Sequence, residues 1–261
     1  MAKSYDFVII GAGIVGLSVA RELNKRHPNS SIVILEKELD IGRHASGRNS
    51  GVMHSGVYYG STTLKAKVCS LGAARMRDFA DEYEISYKKV GKVIIASSAE
   101  DLPTLDTLLT NAKNNGVQAE RLDVQGVKEI EPYASAYEAG IYCPDTAVID
   151  SKAIINKLRE ILEEQGVEFV YGAPIRTARP NKCLIETAQG KFSYEFLYNC
   201  AGAGADLIAK MFGHAGNYTL VPFKGIYYKL RVDKRHLVNG NIYPVPNVEL
   251  PFLGVHLTKV I

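Results

Sequence analysis

The sequence predicts an α/β fold in which a doubly wound parallel-sheet domain is interleaved with a β-rich α+β domain. Three observations predict this fold: an apolar strand, glycine turn and helix at the amino terminus, an alternation of short apolar strands with amphipathic helices, and a last stretch of about fifty residues that reads mostly as strands. We expect residues 1–85 and 150–213 to form the doubly wound domain. Residues 86–149 and 214–261 are expected to form the second domain.

The first elements follow the order strand, helix, strand. Tyr5–Ile10 reads as a buried strand, and a helix is predicted from about Ile14 to His27 because Pro28 cannot continue it. The residues expected on the apolar face of that helix are Val15, Val19 and Leu23, with Leu17 and Ala20 beside them. The next strand, "SIVILE", ends in Glu36. Such a crossover is nearly always right-handed and joins parallel strands.

The later segments are assigned from the same patterns. Helices are predicted at about Leu64–Tyr83, Pro103–Asn115, Ser151–Gly166 (with Ser151 as its cap and Gly166 as its stop) and Asp206–Phe212. Strands, with a turn in the second, are predicted at 91–96, 139–150, 167–172, 183–187, 191–202, 224–232, 237–245 and 252–258.

Composition excludes several classes of function. The net charge of +3, without clustered basic residues, does not indicate a nucleic-acid-binding protein. Four widely spaced cysteines without a C-x-x-C motif predict reduced thiols and no metal site. No apolar run reaches the roughly 18 residues that a membrane-spanning helix needs. We expect a cytoplasmic protein and leave peripheral contact with the inner membrane open.

The turn after the first strand carries a nucleotide-binding pattern. Gly11, Gly13 and Gly16 form G-x-G-x-x-G between a strand and a helix, and Glu36 ends the next strand. This context is typical of a dinucleotide site, in which the helix end at Ile14 receives the pyrophosphate and the acid binds the ribose hydroxyls. Lys37, which follows the acid, is included in the predicted site.

A glycine-rich loop after the second strand favours a flavin over a nicotinamide. The stretch "SGRNSGVMHSGVYYG" permits close approach of the backbone to a flat cofactor, whereas a nicotinamide enzyme normally continues with regular strand–helix units. The residues expected to contact the pyrophosphate, ribityl chain or ring are Ser46, Arg48, Asn49, Ser50 and Gly51. A mobile surface loop is the alternative interpretation.

Four stretches resemble the FAD-dependent oxidoreductases of the D-amino-acid-oxidase superfamily. They are "DFVIIGAGIVGLSVARELN", "LEKE…GRHASGRNSGVMHSGVYY", "NCAGAGAD" and "GNIYPVPNVELPFLGVHLT", and they are most similar to the L-2-hydroxyglutarate dehydrogenase/oxidase family. The resemblance implies oxidation of L-2-hydroxyglutarate to 2-oxoglutarate by hydride transfer to FAD, with oxygen or a quinone as electron acceptor. It also implies FAD contacts at Pro174, Ile175, Ala201 and Gly202. Members of that family continue past residue 261, so we expect the second domain to be truncated here.

The implied chemistry needs a base for the hydroxyl and cations for the carboxylates. His54 is the first candidate base, although it could instead only hydrogen-bond the cofactor, and His256 is its rival. Lys224 and Arg48 are the candidate cations, and Tyr243 is a candidate hydrogen-bond donor together with Tyr58 and Tyr59.

Three other functions stay open at this stage. A related amino-acid oxidase or a glycerol-3-phosphate dehydrogenase-like flavoenzyme would share the nucleotide site. An inactive, truncated FAD-binding fragment would share it as well. A nicotinamide dehydrogenase fits least, because of the loop after the second strand.

Overall fold

A computed structural model describes residues 1–246 and 254–261. The chain folds into two compact units, Met1–Asn49 with Ser151–Ile226 and Ser50–Asp150 with Tyr227–Ile261. The first boundary between these units lies at Asn49, whereas the sequence predicted a boundary near residue 85. The segment after Asn49 belongs to the second unit because Val52 and Met53 pair with Val148 and Ala147.

The described strands and helices have the following bounds. The strands are β1 (Lys3–Ile10), β2 (Ile32–Leu35), β3 (Val52–Met53), β4 (Tyr87–Lys89), β5 (Lys92–Ile95), β6 (Glu120–Asp123), β7 (Ala139–Cys143), β8 (Ala147–Ile149), β9 (Glu168–Val170), β10 (Ile175–Arg179), β11 (Leu184–Thr187), β12 (Gly190–Asn199) and β13 (Asn241–Pro244). The α-helices are α1 (Ile14–Arg26), α2 (Leu64–Glu82), α3 (Leu102–Asn114), α4 (Val124–Ile130), α5 (Ser151–Glu164) and α6 (Ala205–Met211).

The first unit is built on a six-stranded sheet in the order β10-β11-β12-β1-β2-β9. Strands β12, β1, β2 and β9 are parallel, and β10 and β11 form an antiparallel edge. The central strands are apolar and buried on both faces, as parallel strands covered by helices must be. Their carboxyl ends therefore lie along one edge of the sheet, where doubly wound proteins bind ligands.

Helix α1 packs on this unit through a face that overlaps the predicted one, since Leu17, Ala20 and Leu23 are buried as predicted. Its buried residues are Gly16, Leu17, Ala20 and Leu23, whereas Val15 is 60% exposed. The buried face is displaced because Gly16 has no side chain and lies directly against the turn at Gly11. Helix α5 begins at Ser151 itself, and Gly166, with φ of +83°, terminates it as predicted.

The second unit contains two smaller sheets. One has the order β13-β5-β7-β6, with β13 parallel to β5 and the other pairs antiparallel. The other has the antiparallel order β3-β8-β4. A buried cluster that includes Ile94, Leu105, Ile141 and Tyr243 packs helix α3 against the larger sheet. The predicted α/β class with a β-rich second part is confirmed.

Three of the predicted carboxyl-terminal strands differ from the structure. Residues 224–232 contain no strand, and their side chains are exposed, because alternating apolar residues form a strand only where another strand pairs with them. The strand predicted at 237–245 is shorter in the structure, where β13 begins at Asn241 and residues 232–237 form a 3-10 helix before it. Of the predicted strand at 252–258, Phe252 and Leu253 lie outside the described residues, and the described remainder contributes one bridge, from Leu257 to Ile242.

None of the described helices is long and apolar enough to cross a bilayer.

A buried carboxylate fixes the start of β13. Glu131, at the end of α4, is 1% exposed. Its two side-chain oxygens accept the backbone N–H groups of Asn239, at 2.9 Å, and Gly240. Gly240 is required there, since a Cβ would lie 2.3 Å from the carbonyl oxygen of Val90. The carboxylate thus closes the turn that delivers Tyr243 to the core.

Replacing this carboxylate should destabilise the second unit. Glu131→Gln offers one carbonyl oxygen in place of two, so one buried N–H loses its acceptor. We expect the free energy of unfolding to fall by about 1–3 kcal/mol. Glu129→Gln, on the exposed side of the same helix, should change it by less than about 0.5 kcal/mol. Urea denaturation measures both, and equal shifts for the two variants would contradict this account of the turn.

Candidate functional site

The glycine turn at the end of β1 brings three backbone segments together. Gly11 has φ of +106°, and a Cβ there would lie 2.4 Å from the carbonyl oxygen of Cys200. A Cβ on Gly16 would lie 2.0 Å from the carbonyl oxygen of Gly11. These distances leave no room for a side chain, so both glycines are required by the packing of β1, β12 and α1.

The start of α1 is capped by the glycine-rich loop. The Ile14 N–H donates to Ser46 Oγ at 2.9 Å. A Cβ on Gly13 would lie 3.1 Å from the same oxygen. Ser46 is therefore part of the helix amino end, where anions bind, and its hydroxyl hydrogen is available for another acceptor.

The acid at the end of β2 is buried within the same turn. Glu36 is 7% exposed, and its Oε2 accepts the Ala12 N–H at 2.7 Å while its Oε1 accepts the Glu38 N–H at 2.9 Å. Each carboxylate oxygen can accept a further hydrogen bond, and the contact of Glu36 with a ribose hydroxyl stays a prediction. Lys37 is exposed and lies 3.8 Å from the carboxylate of Glu38.

Two further predicted contacts lie beside these residues. The Ala173 N–H donates to the carbonyl oxygen of Glu36 at 2.8 Å, which places Pro174 and Ile175 next to the end of β2. Ala201 and Gly202 follow β12, and the Cys200 N–H donates to the carbonyl oxygen of Ile10 at 2.9 Å.

The residues of the glycine turn, with Glu36 and the segments at Pro174 and Gly202, have the arrangement that a dinucleotide site requires. They lie at the carboxyl ends of the parallel strands β1, β2 and β12, or directly after β9. Gly202 has φ of +55°, and a Cβ there would meet no atom within 4 Å, so backbone is presented to open space. The glycine backbone, the helix amino end and the buried acid are the parts of a pyrophosphate and ribose site.

The rest of the glycine-rich loop is ordered by its own contacts. Asn49 Nδ2 donates to the carbonyl oxygens of Ala45 and Ser46, at 3.0 and 2.8 Å, and Arg48 is exposed. In the second unit, Ser50 is half-buried, and Gly51 has φ of +69° where a Cβ would lie 2.4 Å from the carbonyl oxygen of Ile149. The roles of these four residues toward a flavin stay predictions.

The second unit gathers a polar cluster, which we define as His54, Tyr58, Lys92, Tyr243 and His256. The ring centroids of Tyr243 and His256 are 4.4 Å apart, and those of Tyr243 and His54 are 6.4 Å apart. His256 Nδ1 lies 2.9 Å from the carbonyl oxygen of Gly254. Two predicted histidines from distant parts of the sequence, His54 and His256, thus lie beside the predicted Tyr243.

Within this cluster, His54 is held neutral. Burial, followed by the positive charge of Lys92 and by His256, lowers the pKa of His54 to about 4. Burial raises the pKa of Tyr243 to about 12. At neutral pH, His54 is therefore an uncharged imidazole that can accept a proton.

Sequence reasoning missed Lys92. It is the first residue of β5, its side chain is 0% exposed, and its Nζ lies 4.3 Å from the Tyr58 ring centroid and 5.6 Å from that of Tyr243. Burial lowers its pKa to about 8. The available signal was a lysine at the start of the apolar run "KVIIA", on the same strand face as Ile94.

The predicted cation Lys224 lies in the first unit, on the exposed segment where a strand had been predicted. Its predicted contact with a carboxylate stays a prediction.

Among the residues described by the structure, no group of three or more acids, histidines or cysteines could hold a metal ion.

Comparisons with known proteins show the family and the relatives that this chain resembles. The family described as DAO, FAD dependent oxidoreductase, matches residues 6–260. The mitochondrial L-2-hydroxyglutarate dehydrogenase of Bos taurus is 41% identical over 98% of this chain and 58% of its own length. The L-2-hydroxyglutarate dehydrogenase of Escherichia coli K12 is 35% identical over 98% of this chain and 61% of its own length.

Solved structures share the fold at lower identity. An L-α-glycerophosphate oxidase from Mycoplasma pneumoniae with FAD bound superposes with a TM-score of 0.76 and 19% identity, over 94% of this chain and 66% of its own. An L-proline dehydrogenase from P. horikoshii gives a TM-score of 0.76 and 20% identity, over 94% and 65%.

The glycine turn, the buried acid and the parallel sheet define a dinucleotide-binding protein. With the match over residues 6–260, the chain belongs to the family of FAD-dependent oxidoreductases. The predicted family and its FAD cofactor are confirmed. The chain spans 58% of the length of the bovine relative.

Gly16 offers a direct test of the nucleotide turn. Gly16→Ala places a Cβ against the Gly11 carbonyl, and we expect a loss of about 1–3 kcal/mol of stability together with weaker FAD retention. Gly72→Ala is the matched control, because Gly72 lies in the exposed part of α2, where an added Cβ would meet no atom within 4 Å. This variant should gain about 1 kcal/mol of stability. Thermal unfolding and the visible flavin absorbance measure both effects. A Gly16→Ala protein as yellow and as stable as the wild type would refute the packing argument.

Proposed function

We propose that the protein oxidises L-2-hydroxyglutarate to 2-oxoglutarate with FAD as the hydride acceptor. The observation that carries this proposal is the 35–41% identity, over nearly all of this chain, to proteins named L-2-hydroxyglutarate dehydrogenase from both animals and bacteria. The electron acceptor, oxygen or a quinone, and any peripheral membrane contact stay predictions.

The residues of the first unit would hold the cofactor. The amides and hydroxyl at the start of α1, with Ile14 and Ser46, suit the pyrophosphate, and Glu36 suits the adenosine ribose. Bound FAD would supply the electron sink for the oxidation. Ala201 and Gly202 would present backbone to the same phosphates.

The residues of the second unit would handle the proton. Oxidation of a secondary alcohol removes a hydride from carbon and a proton from oxygen, so a neutral base is needed at the hydroxyl. His54 is uncharged at physiological pH, since its pKa lies near 4. We assign it the role of proton acceptor, with Tyr243 and His256 beside it to orient the substrate.

A substrate panel separates this function from its alternatives. FAD-loaded protein is mixed anaerobically with L-2-hydroxyglutarate, an amino acid series and glycerol 3-phosphate, and the loss of yellow colour is followed. Bleaching by L-2-hydroxyglutarate alone supports the proposal. Bleaching by amino acids or glycerol phosphate instead would assign a related flavoenzyme, and FAD-loaded protein that no substrate bleaches would indicate a binding fragment without this activity.

Removing the proposed base should slow the reaction without abolishing binding. His54→Gln is expected to reduce the rate of flavin bleaching about 10²–10⁴-fold. In the wild type, a base with a pKa of about 4 is neutral throughout pH 5–8, so the rate should be flat there and fall about tenfold per unit below about 4.

The control for this substitution is His214→Gln, in an exposed loop of the first unit. It should leave both the rate and its pH profile unchanged. A wild-type profile that falls between pH 7 and 6 would show that the base is not the buried His54.

A further inference from the structure

Lys92 is a buried cation without a hydrogen-bond acceptor. Its side chain is 0% exposed, and Nζ has no partner among the described residues. Its cross-strand neighbours are Cys143 on β7 and Asn241 on β13. Buried ammonium groups are normally paired with a carboxylate, so this one requires an explanation.

The surrounding aromatic rings compensate only part of the charge. Nζ lies 4.3 Å from the Tyr58 ring centroid and 5.6 Å from that of Tyr243, distances typical of cation–π contacts. Neither ring accepts the three N–H hydrogen bonds that an ammonium group can donate. The Tyr58 hydroxyl is also buried without a partner among the described residues.

No described neighbour supplies a negative charge at neutral pH. Burial raises the pKa values of Cys69, Cys143, Tyr58 and Tyr243, so all four are uncharged. His54 is neutral as well. Lys92, whose pKa burial lowers to about 8, is mostly protonated at pH 7. The polar cluster therefore carries an uncompensated positive charge, which natural proteins keep chiefly at functional sites.

We propose that Lys92 and Tyr58 bind a carboxylate of the substrate in the polar cluster. The ammonium donates charge-assisted hydrogen bonds and the phenol donates one more, so two unpartnered donors acquire an acceptor at once. This inference rests on the proposed function and deepens it, since a 2-hydroxy dicarboxylate offers two such groups. It assigns the anion site to Lys92, in addition to the predicted Lys224 and Arg48.

The test measures binding of glutarate, a dicarboxylate that cannot be oxidised at a hydroxyl, to the FAD-loaded full chain by isothermal titration calorimetry. Lys92→Met keeps most of the length of the side chain and removes its charge, and it should weaken glutarate binding about 10–100-fold at pH 7. Tyr58→Phe should weaken it about 3–10-fold, and Lys92→Arg, which keeps the positive charge, should bind glutarate more tightly than Lys92→Met does. Lys88→Met, on the exposed strand β4, is the matched control and should bind as the wild type does.

A pH series keeps the test independent of folding of the Lys92→Met variant. Wild-type affinity for glutarate should fall about tenfold per unit above about pH 8, as Lys92 loses its proton. Lys92→Arg stays charged and should show no such fall. A folded Lys92→Met protein that binds glutarate within twofold of the wild type, or a wild-type affinity that is flat from pH 6.5 to 9.5, would overturn the proposal.

Two further readouts separate this proposal from the proposed function. Wild-type protein that binds glutarate in a Lys92-dependent way but is not bleached by L-2-hydroxyglutarate would retain the anion site and reject the substrate. If Lys92→Met leaves the bleaching by L-2-hydroxyglutarate unchanged, the substrate is retained and the anion site at Lys92 is rejected. L-2-hydroxyvalerate, which lacks the distal carboxylate, identifies the group bound: the Lys92→Met penalty persists with it only if Lys92 binds the carboxylate next to the hydroxyl.

Discussion

The first unit depends on one steric constraint, the approach of three backbone segments at the end of β1. The carbonyl of Cys200 and the start of α1 come so close to the turn that Gly11 and Gly16 have no space for a Cβ. The same approach sets the helix amino end against the carboxyl ends of the parallel strands. Packing and anion binding therefore impose the same residue choice, and the glycine motif satisfies both.

The second unit buries two polar side chains that differ in their hydrogen bonding. Glu131 is buried, and each of its oxygens accepts a backbone N–H, so it acts as part of the fold. Lys92 is equally buried and has aromatic faces but no acceptor among the described residues. The contrast between a satisfied and an unsatisfied charge within one unit is the physical reason for treating the first as structural and the second as functional.

The predictions succeeded where the signal was local and failed where it depended on a partner. The helices α1, α3 and α5 were found within one or two residues, because apolar periodicity and glycine or proline stops lie within the segment itself. The strand expected at residues 224–232 had the right alternation but pairs with nothing in the described chain. The short strands β3, β4 and β8 were not recognised as a sheet, since two or three residues carry almost no pattern.

By itself, the sequence determined the β-α-β unit, the glycine turn with its acid at Glu36, and the resemblance that pointed to a flavin. These properties follow from short-range spacing, which a chain expresses without reference to distant residues. Only the tertiary structure decided that β13 lies beside β5, and hence that Tyr243 and His256 meet His54 and Lys92. Such meetings depend on strand order and on burial across 150 residues or more, for example between Asn241 and Gly91, and no local pattern encodes them.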